Sequence, residues 1–182
     1  MKKINPVFRK ATNEEQILVK ETFDYFLDKK STNPLDNYHL WTKEGKIIEI
    51  YAVPEETSKL LQNVDKPIYS SGIPLGSIFQ NKFQLEIEGA HLIMPFTDKI
   101  IEIKTEQFLY GKPIFVENIK SFETTFEEGD LLIVVGKSKL HYGVGVSRIN
   151  SKNIQDVKKD TILIKELKHK PRDRGWYLRY GD

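Results

Sequence analysis

Apolar residues in the C-terminal third of the chain recur in short runs that polar turns separate. Residues 131–135 are wholly apolar, a pattern typical of a strand buried on both faces. The preceding pair Gly129-Asp130 predicts a tight turn, because glycine tolerates positive φ and aspartate can bond its own backbone. Residues 140–148 add small side chains where another backbone can approach closely. Short strands joined by polar turns predict a compact β-barrel.

The N-terminal part shows both helical and strand patterns. Thr12 and Glu15 match a capping box, which predicts a helix running to about Asp28. Its apolar residues are expected roughly on one side: Ile17, Leu18, Phe23, Phe26 and Leu27. A hairpin over 38–42 and 46–53 follows, and then a second helix from Pro54 to about Asn63.

The middle of the chain is predicted to contain a loop, a strand and a domain boundary. Residues 70–76 predict a loop of close turns, and the alternation of Phe83, Leu85 and Ile87 predicts a half-buried strand. Residues 89–96 fit a short helix or a turn. We place the boundary near Thr97-Asp98, so that the domains are 1–97 and 98–182.

The second domain is predicted to consist mainly of strands. A short helix over 105–110 is expected to end at Gly111, a residue typical of helix C-termini. The strands are expected at 100–103, 112–116, 131–135, 140–148 and 161–167. Residues 176–178 form a last strand or a docked tail.

Charge is distributed unevenly along the 182 residues, although the net charge is only +2. Residues 131–182 contain 12 Lys and Arg against 5 Asp and Glu, whereas residues 1–130 contain 16 against 21. Such asymmetry is typical of a nucleic-acid-binding half joined to an acidic half. A basic face that is merely solvated is the alternative.

Several classes of protein are disfavoured by composition. The absence of cysteine excludes disulfides, thiolate catalysis, cysteine-based zinc sites and iron–sulfur clusters. The basic N-terminus lacks the apolar segment of a signal peptide, and no apolar run approaches the ~18 residues of a transmembrane helix. We therefore expect a protein of the cytoplasm.

Motifs that suggest nucleotide or metal chemistry are incomplete. The string Gly136-Lys137-Ser138 resembles the end of a phosphate-binding loop, but Leu131 stands where that loop needs glycine. Gly143 and Gly145 begin a dinucleotide fingerprint whose third glycine is replaced by Arg148. The four histidines lie in separate segments without metal-ligand spacing. We expect no catalytic residue, cofactor or metal.

Basic residues of the C-terminal domain are the main functional candidates, since phosphate recognition needs long cations spread along a surface. The predicted RNA-binding residues are Lys112, Lys137, Lys139, Arg148, Lys152, Lys158 and Lys159. Further cations continue into the tail: Lys168, Lys170, Arg172, Arg174 and Arg179. Interleaved aromatic residues could stack on unpaired bases: Tyr142, Trp176, Tyr177 and Tyr180. A role of these rings in the barrel core is the alternative.

Three segments resemble the Nip-seven family of ribosome-assembly factors. They are 83–96, 106–119 and the strand pair ending in 142–148, and the Gln-Phe-Leu-Tyr-Gly string at 107–111 is the most specific. The resemblance implies an α+β protein, with an N-terminal α/β pre-PUA domain (an antiparallel sheet with helices) and a C-terminal PUA pseudo-barrel. The basic and aromatic tail departs from eukaryotic members, which favours a cytoplasmic archaeal protein over a nucleolar one.

The resemblance also implies a function. Family members resemble non-catalytic binders of uridine-rich, single-stranded RNA that act in large-subunit biogenesis and pre-rRNA processing. Their partners are assembly factors and the exosome, and we expect a monomer. The positions here that fit the family's RNA contacts are Arg148, Lys152, Lys158 and Lys159.

Two other functions remain open at this stage. An RNA-modifying enzyme, or its accessory subunit, would place Asp24, Asp28 and Asp36 first among candidate acids, although solvated acids are the alternative. A protein-only adaptor would dock through an exposed hairpin edge around Trp41 and Tyr51, unless both rings lie in the core.

Overall fold

The computed structural model describes residues 7–28, 32–45 and 47–166. The chain forms two compact units, Met1–Phe96 and Thr97–Asp182. The fold is α+β, as predicted, with an antiparallel sheet and helices in the first unit and mainly strands in the second. Among the described residues, no helix is long and apolar enough to span a bilayer.

The first unit is a five-stranded antiparallel sheet with helices, and its strands follow chain order. The strands are β1 (Phe8–Lys10), β2 (Tyr38–Lys43), β3 (Ile48–Pro54), β4 (Ile73–Phe79) and β5 (Lys82–Leu85). The helices are α1 (Asn13–Phe26), α2 (Glu55–Leu61) and α3 (Ile87–Ile93).

The predicted capping box at the start of α1 is confirmed. The Glu15 amide donates to Thr12 Oγ1 at 3.3 Å, and the Thr12 amide donates to Glu15 Oε2 at 2.8 Å. The buried face consists of Glu15, Val19, Phe23 and Phe26. The expectation for Ile17 is wrong, because residues that share a helix face recur every three or four positions, and Ile17 is 54% exposed.

A charged cluster attaches α1 to the sheet. Arg9 donates from Nη1 and Nη2 to both oxygens of Glu15 at 2.9 Å, and from Nε to Glu44 Oε1 at 2.6 Å. Thr42 Oγ1 donates to Glu15 Oε2 at 2.8 Å. Burial alone would raise the pKa of Glu15, but the hydrogen bonds from Arg9, Thr12 and Thr42 outweigh it and lower that pKa.

Strand β4 corrects the predicted loop at 70–76. It runs between β3 and β5, and Pro74 pairs with Tyr51 where the register shifts. Proline is tolerated at such an irregularity because the ladder hydrogen bond is already interrupted there. The predicted strand at 83–87 is also shorter, since Ile87 begins α3.

The hairpin around Trp41 and Tyr51 is not an exposed edge. Strand β1, which was not predicted, pairs with β2 and covers its outer side. Trp41 is 4% exposed and Tyr51 is 8% exposed, and both pack with Phe8. The adaptor surface proposed there is therefore wrong, because the rings belong to the core.

The second unit is a six-stranded mixed sheet. Its strands are β6 (Ile100–Ile103), β7 (Ile114–Phe115), β8 (Ile119–Phe122), β9 (Leu131–Val135), β10 (His141–Ser147) and β11 (Ile162–Glu166). Their order is β7-β11-β10-β9-β6-β8; among these described strands β6 and β9 pair in parallel, and the other neighbours pair antiparallel. The expected helix is a 3₁₀ turn, Gln107–Tyr110, capped by left-handed Gly111. Strand β8 was not predicted.

Candidate nucleic-acid interface

The connection between β10 and β11, residues 148–160, carries four of the seven predicted RNA-binding residues; we call it the basic connection. Its backbone is bonded to other segments at both ends, since the Arg148 amide donates to Leu163 O at 2.7 Å and the Glu117 amide donates to Lys159 O at 3.1 Å. Ile149 and Ile154 pack against the core of the unit. The connection is therefore anchored, although it lacks regular strand or α-helix.

The four cations of the basic connection are exposed: Arg148, Lys152, Lys158 and Lys159. Within the described ranges, none of them forms a side-chain hydrogen bond or an ion pair. Two other cations of the unit are occupied: Lys120 pairs with Glu102 at 2.7 Å, and Lys139 pairs with Glu123 at 3.3 Å. The positive groups of the connection are thus available to an external anion.

Lys104 joins this surface, and sequence reasoning missed it. Its Nζ donates to Glu117 O at 2.8 Å, while the Glu117 amide donates to Lys159 O at 3.1 Å. Both bonds end on Glu117, so the exposed Lys104 lies beside the basic connection. The sequence carries no local signal for this, because Lys104 and Lys159 are far apart in the chain and meet only through their bonds to Glu117.

The other three predicted residues lie elsewhere in the unit. Lys137 and Lys139 form the turn between β9 and β10, at the opposite end of β10 from Arg148. A seven-residue strand spans about 20 Å. Lys112 precedes the edge strand β7 and is exposed. Four of the seven residues therefore lie on one connection, and the remaining three lie on other segments of the unit.

An acidic turn adjoins the basic connection. The Glu128 amide donates to Asn150 Oδ1 at 2.6 Å, the Phe126 amide donates to Ser151 Oγ at 3.0 Å, and Ser147 Oγ donates to Glu127 O. Gly129 has φ +94°, which confirms the tight turn. A cavity of about 260 Å³ lies between the turn and Lys152. Because these acidic residues lie beside the basic connection, an anion would have to bind at individual cations that face away from the acidic turn.

The net charge of the described part of the second unit is zero, so this part has no overall attraction for an anion. Residues 97–166 contain 11 Lys and Arg and 11 Asp and Glu. The positive surplus of the C-terminal half lies in residues 167–182, including every predicted tail cation, and those residues are outside the described ranges. Affinity of the described unit for a polyanion would come from its unpaired cations, and four of these lie on the basic connection.

The aromatic prediction is wrong for Tyr142 and is replaced by another residue. Tyr142 is 3% exposed in the barrel core, and burial, with a smaller effect of Glu106, raises its pKa. Trp176, Tyr177 and Tyr180 lie outside the described residues. Tyr110, in the 107–111 string, is 56% exposed and has a ring face that could stack on a base.

The acids considered for an enzyme lie at the surface of the first unit. Asp24, Asp28 and Asp36 are all exposed. Among the described residues, no group of three or more His, Asp or Glu could hold a metal ion.

Comparisons with known proteins agree with this architecture. Residues 8–87 match the NIP7/UPF0113 pre-PUA domain, and residues 99–182 match the UPF0113 PUA domain. No curated protein gave a significant match.

Solved structures share the fold. A conserved PUA domain protein from Thermoplasma acidophilum has a TM-score of 0.59 at 13% identity, covering 90% of this chain and 95% of its own. A PUA domain from Aeropyrum pernix K1, in a tartrate complex, has a TM-score of 0.60 at 13% sequence identity. The match covers 95% of this chain and 90% of that one. A hypothetical protein from Pyrococcus horikoshii OT3 has a TM-score of 0.59 at 14% sequence identity. The match covers 94% of this chain and 99% of that one.

Both units match models of the same family, in the same order, and together the matches span most of the chain. PUA domains of this kind indicate RNA binding. The chain belongs to the NIP7/UPF0113 family.

Proposed function

We propose that the protein is a non-catalytic RNA-binding factor in large-subunit ribosome biogenesis. The PUA unit binds single-stranded, uridine-rich pre-rRNA through the basic connection, and the first unit binds assembly proteins or the exosome. Family membership supports the class of function. The observation that carries the site is four exposed, unpaired cations on one anchored connection.

The mechanism is adhesion. Arg148, Lys152 and Lys158 neutralise backbone phosphates, and each contact releases counterions from the RNA. Lys159 and Lys104 extend the same surface. The protein acts as a monomer in an archaeal cytoplasm, and no bond is made or broken.

The test compares two triple variants with the same change in charge. Arg148→Ala/Lys152→Ala/Lys158→Ala should weaken binding to a fluorescent oligouridine by about 10-fold to 100-fold, because three phosphate contacts are lost. Lys112→Ala/Lys137→Ala/Lys139→Ala removes three positive charges elsewhere in the unit and should change affinity by less than about threefold. Fluorescence anisotropy measures both.

The outcome separates three accounts. Loss only in the first variant supports the basic connection as the site. Equal loss in both variants would mean that total charge, rather than this surface, determines affinity. Loss in neither would exclude all six substituted cations as RNA contacts, and the proposed site would be wrong.

A further inference from the structure

An open cleft of about 700 Å³ lies in the first unit, between α1, the junction at Lys10 and Ala11, and the segment leading into β2. Its volume is that of a typical ligand site. The RNA-binding proposal uses only the second unit, so this cleft has no assigned role.

One wall is a second face of α1, distinct from the face in the core. Asn13, Gln16, Ile17 and Lys20 recur at helical spacing and are all exposed. Ile17 is an exposed aliphatic residue in the middle of this face. Leu35 and Leu40 line the cleft from the β2 side and are half-buried. The cleft therefore offers an aliphatic contact.

The charge of the cleft has one sign. Lys10 and Lys20 line it together with His39, and none of the lining residues that the structure describes is acidic. Neither lysine forms an ion pair with a described residue. Positive groups around an aliphatic contact complement a ligand that combines carboxylates with an apolar group.

Two amides in the lining are oriented by the protein itself. Gln16 Nε2 donates to Ala11 O at 3.0 Å, and Asn33 Oδ1 accepts from the Leu35 amide at 2.9 Å. No hydrogen bond among the described residues uses Gln16 Oε1 or Asn33 Nδ2. An acceptor and a donor thus remain for the main chain of a bound peptide.

We propose that the cleft binds an acidic segment of a partner protein, with an apolar side chain against Ile17, Leu35 and Leu40 and carboxylates near Lys10, Lys20 and His39. The proposal rests on the proposed function, in which the first unit holds a protein partner. RNA fits less well, because unpaired bases stack on aromatic rings or guanidinium planes, and the apolar lining is aliphatic apart from half-buried Tyr38.

The test is a display selection of random 12-residue peptides on the full chain. Enriched peptides should be acidic and should contain an apolar residue. They should bind Ile17→Glu/Lys20→Glu at least tenfold more weakly than the unmodified chain. The matched control is Leu60→Glu/Lys66→Glu, which changes an exposed leucine and an exposed lysine of the same unit, and it should retain binding.

Three results would overturn the proposal: enriched peptides that bind Ile17→Glu/Lys20→Glu as tightly as the control, enriched peptides without acidic excess, or no enrichment over an unrelated bait. Oligouridine titrations of the same variants provide a second readout. An oligouridine affinity lower for the cleft variant than for its control would mean that the cleft binds RNA. The triple variant Arg148→Ala/Lys152→Ala/Lys158→Ala tests the RNA surface separately. Failure of the cleft proposal therefore leaves the RNA-binding proposal testable, and the reverse also holds.

Discussion

Arg9 in the first unit and Arg148 in the second are the same residue type in opposite electrostatic situations. Arg9 is held by Glu15 and Glu44, and these hydrogen bonds, led by the one to Glu15, raise its pKa above its usual value. Arg148 is exposed and pairs with no described carboxylate. The comparison teaches that an arginine with carboxylates within hydrogen-bond distance stabilises the fold, whereas an arginine without them is available to bind a ligand.

The largest expected effect is on the structural side of this comparison. Glu15→Ala leaves Arg9, the Thr42 hydroxyl and the Thr12 amide without their shared acceptor, and should lower the free energy of unfolding by about 2 kcal/mol. Urea unfolding followed by Trp41 fluorescence, in a Trp176→Phe background, reports on the first unit. Arg148→Ala should change stability by less than about 0.5 kcal/mol. Equal losses would contradict the comparison.

Acid should reduce the contribution of Glu15. Its pKa in the folded state lies below the unfolded value of about 4.3, so its stabilisation is complete above that pH and is lost as pH falls through the folded pKa. The stability difference between the unmodified chain and Glu15→Gln should therefore narrow below about pH 4. The midpoints of urea unfolding of both proteins, measured from about pH 2 to about pH 7, give this difference. If the stability difference stays constant with pH, Glu15 stabilises the fold through packing and neutral hydrogen bonds, and its charge contributes nothing.

Arginine-to-lysine changes sharpen the contrast. Arg9→Lys loses the two-pronged contact with Glu15 and should destabilise by about 1 kcal/mol. Arg148→Lys keeps a positive charge for a phosphate and should leave both stability and oligouridine affinity nearly unchanged. A loss of RNA affinity in Arg148→Lys would instead indicate a geometric contact with a base or phosphate.

Lys104 gives the smallest expected effect. Lys104→Ala should weaken oligouridine binding by about threefold, since one peripheral phosphate contact is lost. Lys165→Ala, an exposed lysine on β11, is the control and should have no effect. Equal affinities for the two variants in fluorescence anisotropy would restrict the interface to the basic connection.

Sequence reasoning succeeded where the signal is local. The apolar run of β9 and the small residues of β10 indicate strands because both elements are almost fully buried. The capping box marks the start of α1 because Thr12 and Glu15 are three residues apart. The resemblance that rests on 83–96, 106–119 and 142–148 is confirmed by the family matches.

It failed where distant residues decide the structure. Strand β4 contains Pro74 and Gly76 and resembles a loop until β3 and β5 pair with it. Strand β8 is short and mostly exposed, and its sequence, IKSF, contains no apolar run. Tyr142 resembles a stacking residue until the barrel encloses it, and Lys104 joins Lys159 only through Glu117. Each depends on pairing between separate parts of the chain.

The salt dependence of oligouridine binding tests the central claim most directly. Each phosphate neutralised on single-stranded RNA contributes about 0.7 to the slope of log affinity against log salt concentration. Relative to the unmodified chain, Arg148→Ala/Lys152→Ala/Lys158→Ala should have a slope shallower by about 2, whereas Lys112→Ala/Lys137→Ala/Lys139→Ala should leave it unchanged. Identical slopes for all three proteins would contradict the account.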